Sequence, residues 1–159
     1  MIEMTEKEAL NRVATYCATA EHCRAEIVEK LQRWGIDYST IDRILQRLEE
    51  EKYIDEERFC RAFIRDKYRF AKWGRRKIGQ ALQLKKISFA VYSSCFDEID
   101  EAEYLSILRD LLASKRKSVR AENEFELNGK LIRFALSRGF EMSDIRHCID
   151  VSDENEYLE

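Results

Sequence analysis

The chain has 159 residues, of which 37% are charged, and it contains no proline and only five glycines. Sandwiches, barrels and propellers need many tight turns, so this composition excludes most all-β folds and favours helices joined by short connections. The formal net charge is −3, and no apolar run reaches the roughly 20 residues that span a bilayer.

The first fifty or so residues show the periodicity of three amphipathic helices. Thr5 with Glu8 predicts a capping box at the start of the first helix. The second helix is predicted from about Cys23 to Trp34 and ends at Gly35, since glycine readily adopts the left-handed backbone of a helix stop. The third begins near Asp37. Inward-facing positions are expected at Leu10, Val13, Ala14, Cys17, Ile41, Ile44, Leu45 and Leu48.

The same pattern recurs twice further along the chain. A shift of roughly fifty residues places Ile27 on Ile78, and a shift of roughly a hundred places Gly35 on Gly139. Asp55 and Asp100 open the first helices of the later copies. We therefore predict an all-α fold of three tandem three-helix repeats forming an elongated, curved body. The repeats are predicted at residues 1–53, 54–99 and 100–150, followed by an acidic tail at residues 151–159.

Charge is segregated along the chain, because residues 58–86 contain eleven basic residues and a single acid, Asp66. At about 100° per residue, the basic residues of the helix that opens the second repeat fall within an arc of about 80°. That arc holds Arg58, Arg61, Arg65, Arg69 and Lys72. The opposite arc, expected to pack inward, holds Phe59, Cys60, Phe63, Ile64, Phe70 and Ala71. The pattern predicts a basic stripe on the outer side of this helix.

The basic run continues across Gly74 into the next helix, and we interpret it as a surface for a polyanion or an acidic partner. The residues predicted to bind are Arg58, Arg61, Arg65, Arg69, Lys72, Trp73, Arg75, Arg76 and Lys77. Six of these are predicted to form one solvent-facing surface, namely Arg61, Arg65, Arg69, Lys72, Arg75 and Arg76.

Two alternatives to that interpretation stay open. The stripe is a merely solvated helix face, or acids at residues 49–51 or 97–103 neutralise it within the fold. Trp73 either stacks on a base or a partner side chain, or lies in the core between two helices.

No catalytic centre, cofactor site or metal site is predicted. Cys17, His22 and Cys23 lack a fourth ligand, and the sequence has neither a CxxC motif nor a glycine-rich phosphate-binding loop. The five cysteines are odd in number and scattered, which favours reduced thiols in an intracellular chain. The acidic first ten residues do not match a secretory signal, so we expect an intracellular protein.

The central segment resembles the signature of RecX, the bacterial regulator of the RecA recombinase. The residues that carry the resemblance are Tyr53-Ile54-Asp55-Glu56-Glu57-Arg58-Phe59 and Trp73-Gly74-Arg75-Arg76-Lys77-Ile78. Weaker matches in the other repeats extend it over about residues 5–150; they include Lys30-Leu31 and Arg138-Gly139-Phe140. The chain departs from the family at Lys85-Lys86-Ile87, where members often have Lys-Gly-Ile.

The resemblance implies a cytoplasmic modulator that binds the RecA–DNA filament, lies in its groove and inhibits its ATPase and strand exchange. It implies no enzymatic activity, and a monomer is expected. A second functional class stays open: a DNA-binding protein that acts directly on single- or double-stranded DNA through three-helix units. The acidic remainder of the chain favours one oriented contact over wrapping of bare DNA.

Overall fold

The computed structural model describes residues 4–149, and within them every regular element is helical. The first three helices are α1 (Glu6–Thr19), α2 (Arg24–Arg33) and α3 (Tyr38–Glu50). The next three are α4 (Glu56–Asp66), which continues into a π-helical turn at Lys67–Ala71, α5 (Arg75–Leu84) and α6 (Phe89–Phe96). The last three are α7 (Glu101–Arg116), α8 (Glu124–Ser137) and α9 (Met142–Cys148). The predicted all-α class with three-helix triplets is confirmed, whereas the predicted tail at 151–159 lies outside the described residues.

Polar caps and left-handed stops delimit the helices where the sequence predicts them. The Asp37 carboxylate accepts a hydrogen bond from the Thr40 backbone N–H at 2.8 Å at the start of α3. Gly35 and Gly139 both have positive φ, at 78° and 93°, after α2 and α8. The equivalent position after α5 is Lys86, which adopts φ 62°. A side chain in this conformation is disfavoured by roughly 1–2 kcal/mol, so the departure from Lys-Gly-Ile carries local strain.

The chain forms two compact units. Within the described residues, the first contains residues 4–63 together with Leu82–Cys95, and the second contains Ile64–Ala81 together with residues 96–149. The second sequence repeat therefore contributes residues to both units. The repeat boundaries near residues 53 and 99 stay predictions, because compact units and sequence repeats divide a chain in different ways.

Each unit has its own apolar core of buried side chains. In the first unit α1, α2 and α3 bury Val13, Ile27, Leu31, Ile44 and Leu48. In the second unit the deepest side chains are Tyr104, Leu108, Leu131, Phe140 and Ile145. No helix among residues 4–149 is both long and apolar enough to cross a membrane.

Candidate functional site

The first unit contains two of the predicted binding residues, and acids of the same unit hold both. The Arg58 guanidinium lies 2.6 Å from a Glu21 carboxylate oxygen and also donates to the Lys52 carbonyl at 3.1 Å. The hydrogen bond to Glu21 raises the pKa of Arg58 further. Arg61 pairs with Glu57 one turn earlier in α4, at 3.3 Å. These two arginines are thus already engaged within their own unit.

The other seven predicted residues belong to the second unit, where the helix changes its hydrogen-bonding pattern. After Asp66 the α-helix gives way to the π-helical turn at Lys67–Ala71, and Lys72 ends it in the left-handed conformation with φ 59°. The Lys72 ammonium donates to the Arg69 carbonyl at 2.5 Å. Trp73 follows, half-buried, with the ammonium groups of Lys67 and Lys77 at 4.7 and 4.6 Å from its ring centroid.

The π-helical turn overturns one sequence expectation about packing. Phe70, predicted on the inward arc, is 79% exposed, whereas Tyr68 is buried at 4%. The α-helical spacing places Phe70 at about 120°, and one extra residue in the turn moves it back by up to about 100°, into the arc expected for arginines. The sequence therefore assigned Phe70 to the core incorrectly, and the structure adds it to the candidate site.

Arg69 is neutralised by α7 through a small polar cluster. Its guanidinium lies 3.0 Å from the Glu103 carboxylate, which also accepts a hydrogen bond from the Tyr68 hydroxyl. The Tyr68 hydrogen bond and the Arg69 charge together lower the pKa of Glu103. Burial, followed by the contact with Glu103, raises the pKa of Tyr68. The Glu103 carboxylate thus joins α7 to the π-helical turn.

Arg75 differs most from the predicted solvent-facing surface. Its side chain is 19% exposed and pairs with Glu101 and, at 3.4 Å, with Asp144. Its guanidinium lies 4.2 Å from the Tyr104 ring centroid, and its backbone N–H donates to the Tyr104 hydroxyl at 2.9 Å. Burial raises the pKa of Tyr104 to about 12 and also raises the pKa of Asp144. Arg75 is therefore a structural residue of this unit, and the prediction that it faces solvent is wrong.

The start of α5 is fixed against the turn between α8 and α9 by backbone contacts. The Gly74 N–H donates to the Arg138 carbonyl at 2.7 Å, and the Arg76 N–H donates to the Gly139 carbonyl at 3.0 Å. A Cβ atom at Gly74 would lie 2.3 Å from the Phe140 nitrogen. Only glycine fits there, so the backbone of this basic segment is held rigidly while its outward side chains stay exposed.

Arg65 and Arg76 are the two arginines of the predicted set that remain exposed without an ion pair to any residue in 4–149. The Arg65 charge contributes to lowering the pKa of Glu103, but the carboxylate bonds to Arg69 and Tyr68. Together with the exposed ring of Phe70, these arginines are side chains of the basic segment that stay exposed to a partner. We call Arg65, Phe70 and Arg76 the exposed set.

Of the two alternatives left open by the sequence, neutralisation within the fold is confirmed for part of the stripe. Glu101 and Glu103 belong to the 97–103 segment and pair with Arg75 and Arg69. The 49–51 segment is used differently, since Glu49 pairs with Arg24 and Glu51 with Arg47. Trp73 is half-buried against lysine ammonium groups.

Metal-binding chemistry finds no support in the part of the chain that the structure describes. No group of three histidine, cysteine or acidic side chains is positioned to hold a metal ion among those residues. The His22 ring stacks on Tyr16 with centroids 3.8 Å apart, and Cys17 and Cys23 are buried free thiols. Burial raises the pKa of the Cys23 thiol to about 11, so this cysteine is unreactive at neutral pH.

Family models match along most of the chain. Residues 9–48 match the model described as the first three-helix domain of RecX, residues 55–91 the second and residues 101–149 the third. The protein "Regulatory protein RecX" of Prosthecochloris aestuarii is 29% identical over 94% of this chain and 97% of its own length. That of Clostridium perfringens strain SM101 is 30% identical over 84% of this chain and 63% of its own length.

Solved structures agree on the fold. A structure described as regulatory protein RecX has a TM-score of 0.83 at 18% identity, covering 92% of this chain and 73% of that one. RecX from Lactobacillus salivarius has a TM-score of 0.80 at 17% identity, covering 96% of both chains. With three domain models in the expected order, the chain belongs to the RecX family of regulatory proteins.

Proposed function

We propose that this protein binds the RecA–DNA filament and lowers the ATPase and strand-exchange activity of the recombinase. In this role it acts as a non-enzymatic, cytoplasmic monomer in DNA repair by homologous recombination and in the SOS response. Family membership supports the regulatory role. The observation that carries the filament contact is the exposed set, whose two arginines have no ion pair within residues 4–149.

The physical reason lies in the balance of charge on one short segment. Residues 64–77 hold seven basic residues and one acid. Acids of α7 and α9 neutralise Arg69 and Arg75, whereas Arg65 and Arg76 keep their charge available. Exposed like charges repel one another. The approach of a polyanion or an acidic protein face relieves this repulsion and lowers the electrostatic free energy.

The test compares the filament with its parts. Recombinase ATPase inhibition and direct binding are measured with the assembled filament, with the recombinase alone and with DNA alone, over a range of salt concentrations. We expect binding to the assembled filament to be much tighter than binding to DNA alone, which should be weak but measurable, or to the recombinase alone. If phosphates are contacted, each one neutralised steepens the log–log salt dependence by roughly 0.7–0.9.

Two outcomes would contradict this proposal. Equal affinity for bare DNA and for the filament would favour the direct DNA-binding class. Absence of any effect on the ATPase at saturating protein would exclude the regulatory action on the recombinase.

A further inference from the structure

Phe70 is the most exposed large apolar side chain in the described part of the second unit, ahead of Phe125 at 51% and Leu136 at 40%. It is 79% exposed, although it lies between Arg69, which pairs with α7, and Ala71, which is half-buried. The π-helical turn at Lys67–Ala71 places it there. Such turns are rare in proteins overall, and many of those known lie at functional sites. An exposed aromatic ring on such a turn therefore indicates a binding site.

The neighbouring aromatic residue cannot take the same role as readily. Trp73 is half-buried, and the ammonium groups of Lys67 and Lys77 lie over its ring at 4.7 and 4.6 Å. Its π electrons therefore already interact with two cations of the protein. Phe70 offers an open ring a few residues away, on the segment that also carries the exposed Arg65 and the half-buried Lys72.

The chemistry of the surroundings distinguishes two possible partners for the ring. The core of a protein interface is depleted of charged residues and gathers several apolar anchors. Phe70 is instead a single apolar side chain in a segment that contains seven basic residues between positions 64 and 77. Aromatic rings set among basic side chains are typical of surfaces that bind single-stranded nucleic acid, where bases stack on the rings and cations hold the phosphates.

We propose that Phe70 stacks on an unpaired base of a single DNA strand while Arg65 and Lys72 contact the adjacent phosphates. This inference rests on the proposed function and deepens it, since it assigns part of the filament contact to the DNA strand. It also predicts tolerance of base identity, because every base presents a π face.

The experiment compares two oligonucleotides with identical backbones. Oligo(dT) and an abasic strand of the same length present the same phosphates, but only oligo(dT) has bases. We expect the wild-type protein to bind oligo(dT) more tightly than the abasic strand. Phe70→Ala should lose roughly 5- to 150-fold in affinity for oligo(dT) and little for the abasic strand, because stacking is worth about 1–3 kcal/mol per base.

Three further variants separate stacking of the ring from apolar contact and from the loss of any exposed phenylalanine. Phe70→Trp should keep the preference for oligo(dT), whereas Phe70→Leu should lose it, because leucine retains apolar area but has no ring to stack. Phe89→Ala is the matched control, since Phe89 is another exposed phenylalanine, at 70%. Circular dichroism should show all variants folded, because the exposed rings of Phe70 and Phe89 bury little apolar surface.

Each remaining outcome would overturn the proposal in an identifiable way. Equal affinity of wild type for the two strands, or no binding to either, excludes base stacking. If Phe70→Ala leaves oligo(dT) binding unchanged but weakens inhibition of the recombinase, and Phe70→Leu restores it, the ring enters a protein pocket. ATPase inhibition by the wild type, measured on the same samples, shows separately whether the proposed function itself fails.

Discussion

The two halves of the helical segment that opens the second repeat differ in how they use their basic residues. In the half that belongs to the first unit, the helix is a regular α-helix, and Arg58 and Arg61 form ion pairs with Glu21 and Glu57. In the half from Ile64 onward, Arg65 is exposed on the last turn of α4, and the π-helical turn that follows leaves Phe70 exposed. The comparison teaches that one continuous charge pattern in the sequence can contain basic residues paired within the fold and basic residues left exposed.

The largest expected effect on stability concerns the backbone contact at Gly74, which holds the start of α5 against the turn between α8 and α9. Gly74→Ala should destabilise the protein by about 3 kcal/mol, because the new Cβ would lie 2.3 Å from the Phe140 nitrogen and the backbone must move. Chemical denaturation measures this change. Gly129→Ala in α8 is the control: its Cβ would lie 3.5 Å from the Arg133 side chain, so a gain of about 0.5–1 kcal/mol is expected. Equal behaviour of both variants would remove the role given to Gly74.

A smaller effect is expected where the π-helical turn ends. Lys72 adopts φ 59°, which glycine tolerates without strain. Lys72→Gly should therefore raise the free energy of unfolding by about 1 kcal/mol, measured as a higher denaturation midpoint. Gln80→Gly, in the interior of α5, should lower it by about the same amount. A loss of stability at Lys72→Gly would show that its side chain contributes more through the Arg69 carbonyl than its backbone strain costs.

The smallest effects are opposite pH dependences in the two halves. Burial raises the pKa of Glu56 at the start of α4, and one of its carboxylate oxygens is buried without a hydrogen-bond partner among residues 4–149. The folded state then binds the proton more tightly than the unfolded state, so stability falls as the pH rises from about 4.3 through the raised pKa. Glu56→Gln should remove that fall.

Glu103 beside the π-helical turn has the opposite sign. The hydrogen bond from Tyr68 and the charge of Arg69 lower its pKa, so its contribution is present above about 4.3 and is lost as the pH falls through the lowered value. Glu103→Gln should lower the free energy of unfolding at neutral pH and reduce the loss of stability on acidification. Denaturation midpoints of both variants between about pH 3 and pH 8 test the pair. If the two substitutions changed the pH dependence of stability in the same direction, the comparison would be contradicted.

The parts of the fold that depend on local chemistry were predictable. Asp37 caps α3, Gly35 and Gly139 stop their helices, and the aliphatic positions at helical spacing are buried. These features need only the residue and its neighbours within about one helical turn.

The parts that depend on hydrogen-bond register and on distant residues were not predictable. A π turn changes the spacing by one residue, and the sequence of Lys67–Ala71 carries no glycine or proline to signal it. Pairing of Arg75 with Glu101 and Asp144 joins residues far apart in sequence, which periodicity does not show. The basic stripe was thus identified from the sequence, but which of its members stay exposed was not.

The central claim is that the charge left exposed in the second unit contacts the filament. Arg65→Glu with Arg76→Glu changes only side chains without ion pairs in residues 4–149, so folding should be preserved. Lys7→Glu with Arg12→Glu, both exposed on α1, makes the same change in net charge and is the control. The measurement is filament affinity at several salt concentrations. The account predicts at least about tenfold weaker binding and a flatter salt dependence for the first pair, with the control close to wild type. Equal losses for both pairs, or none for the first, would contradict it.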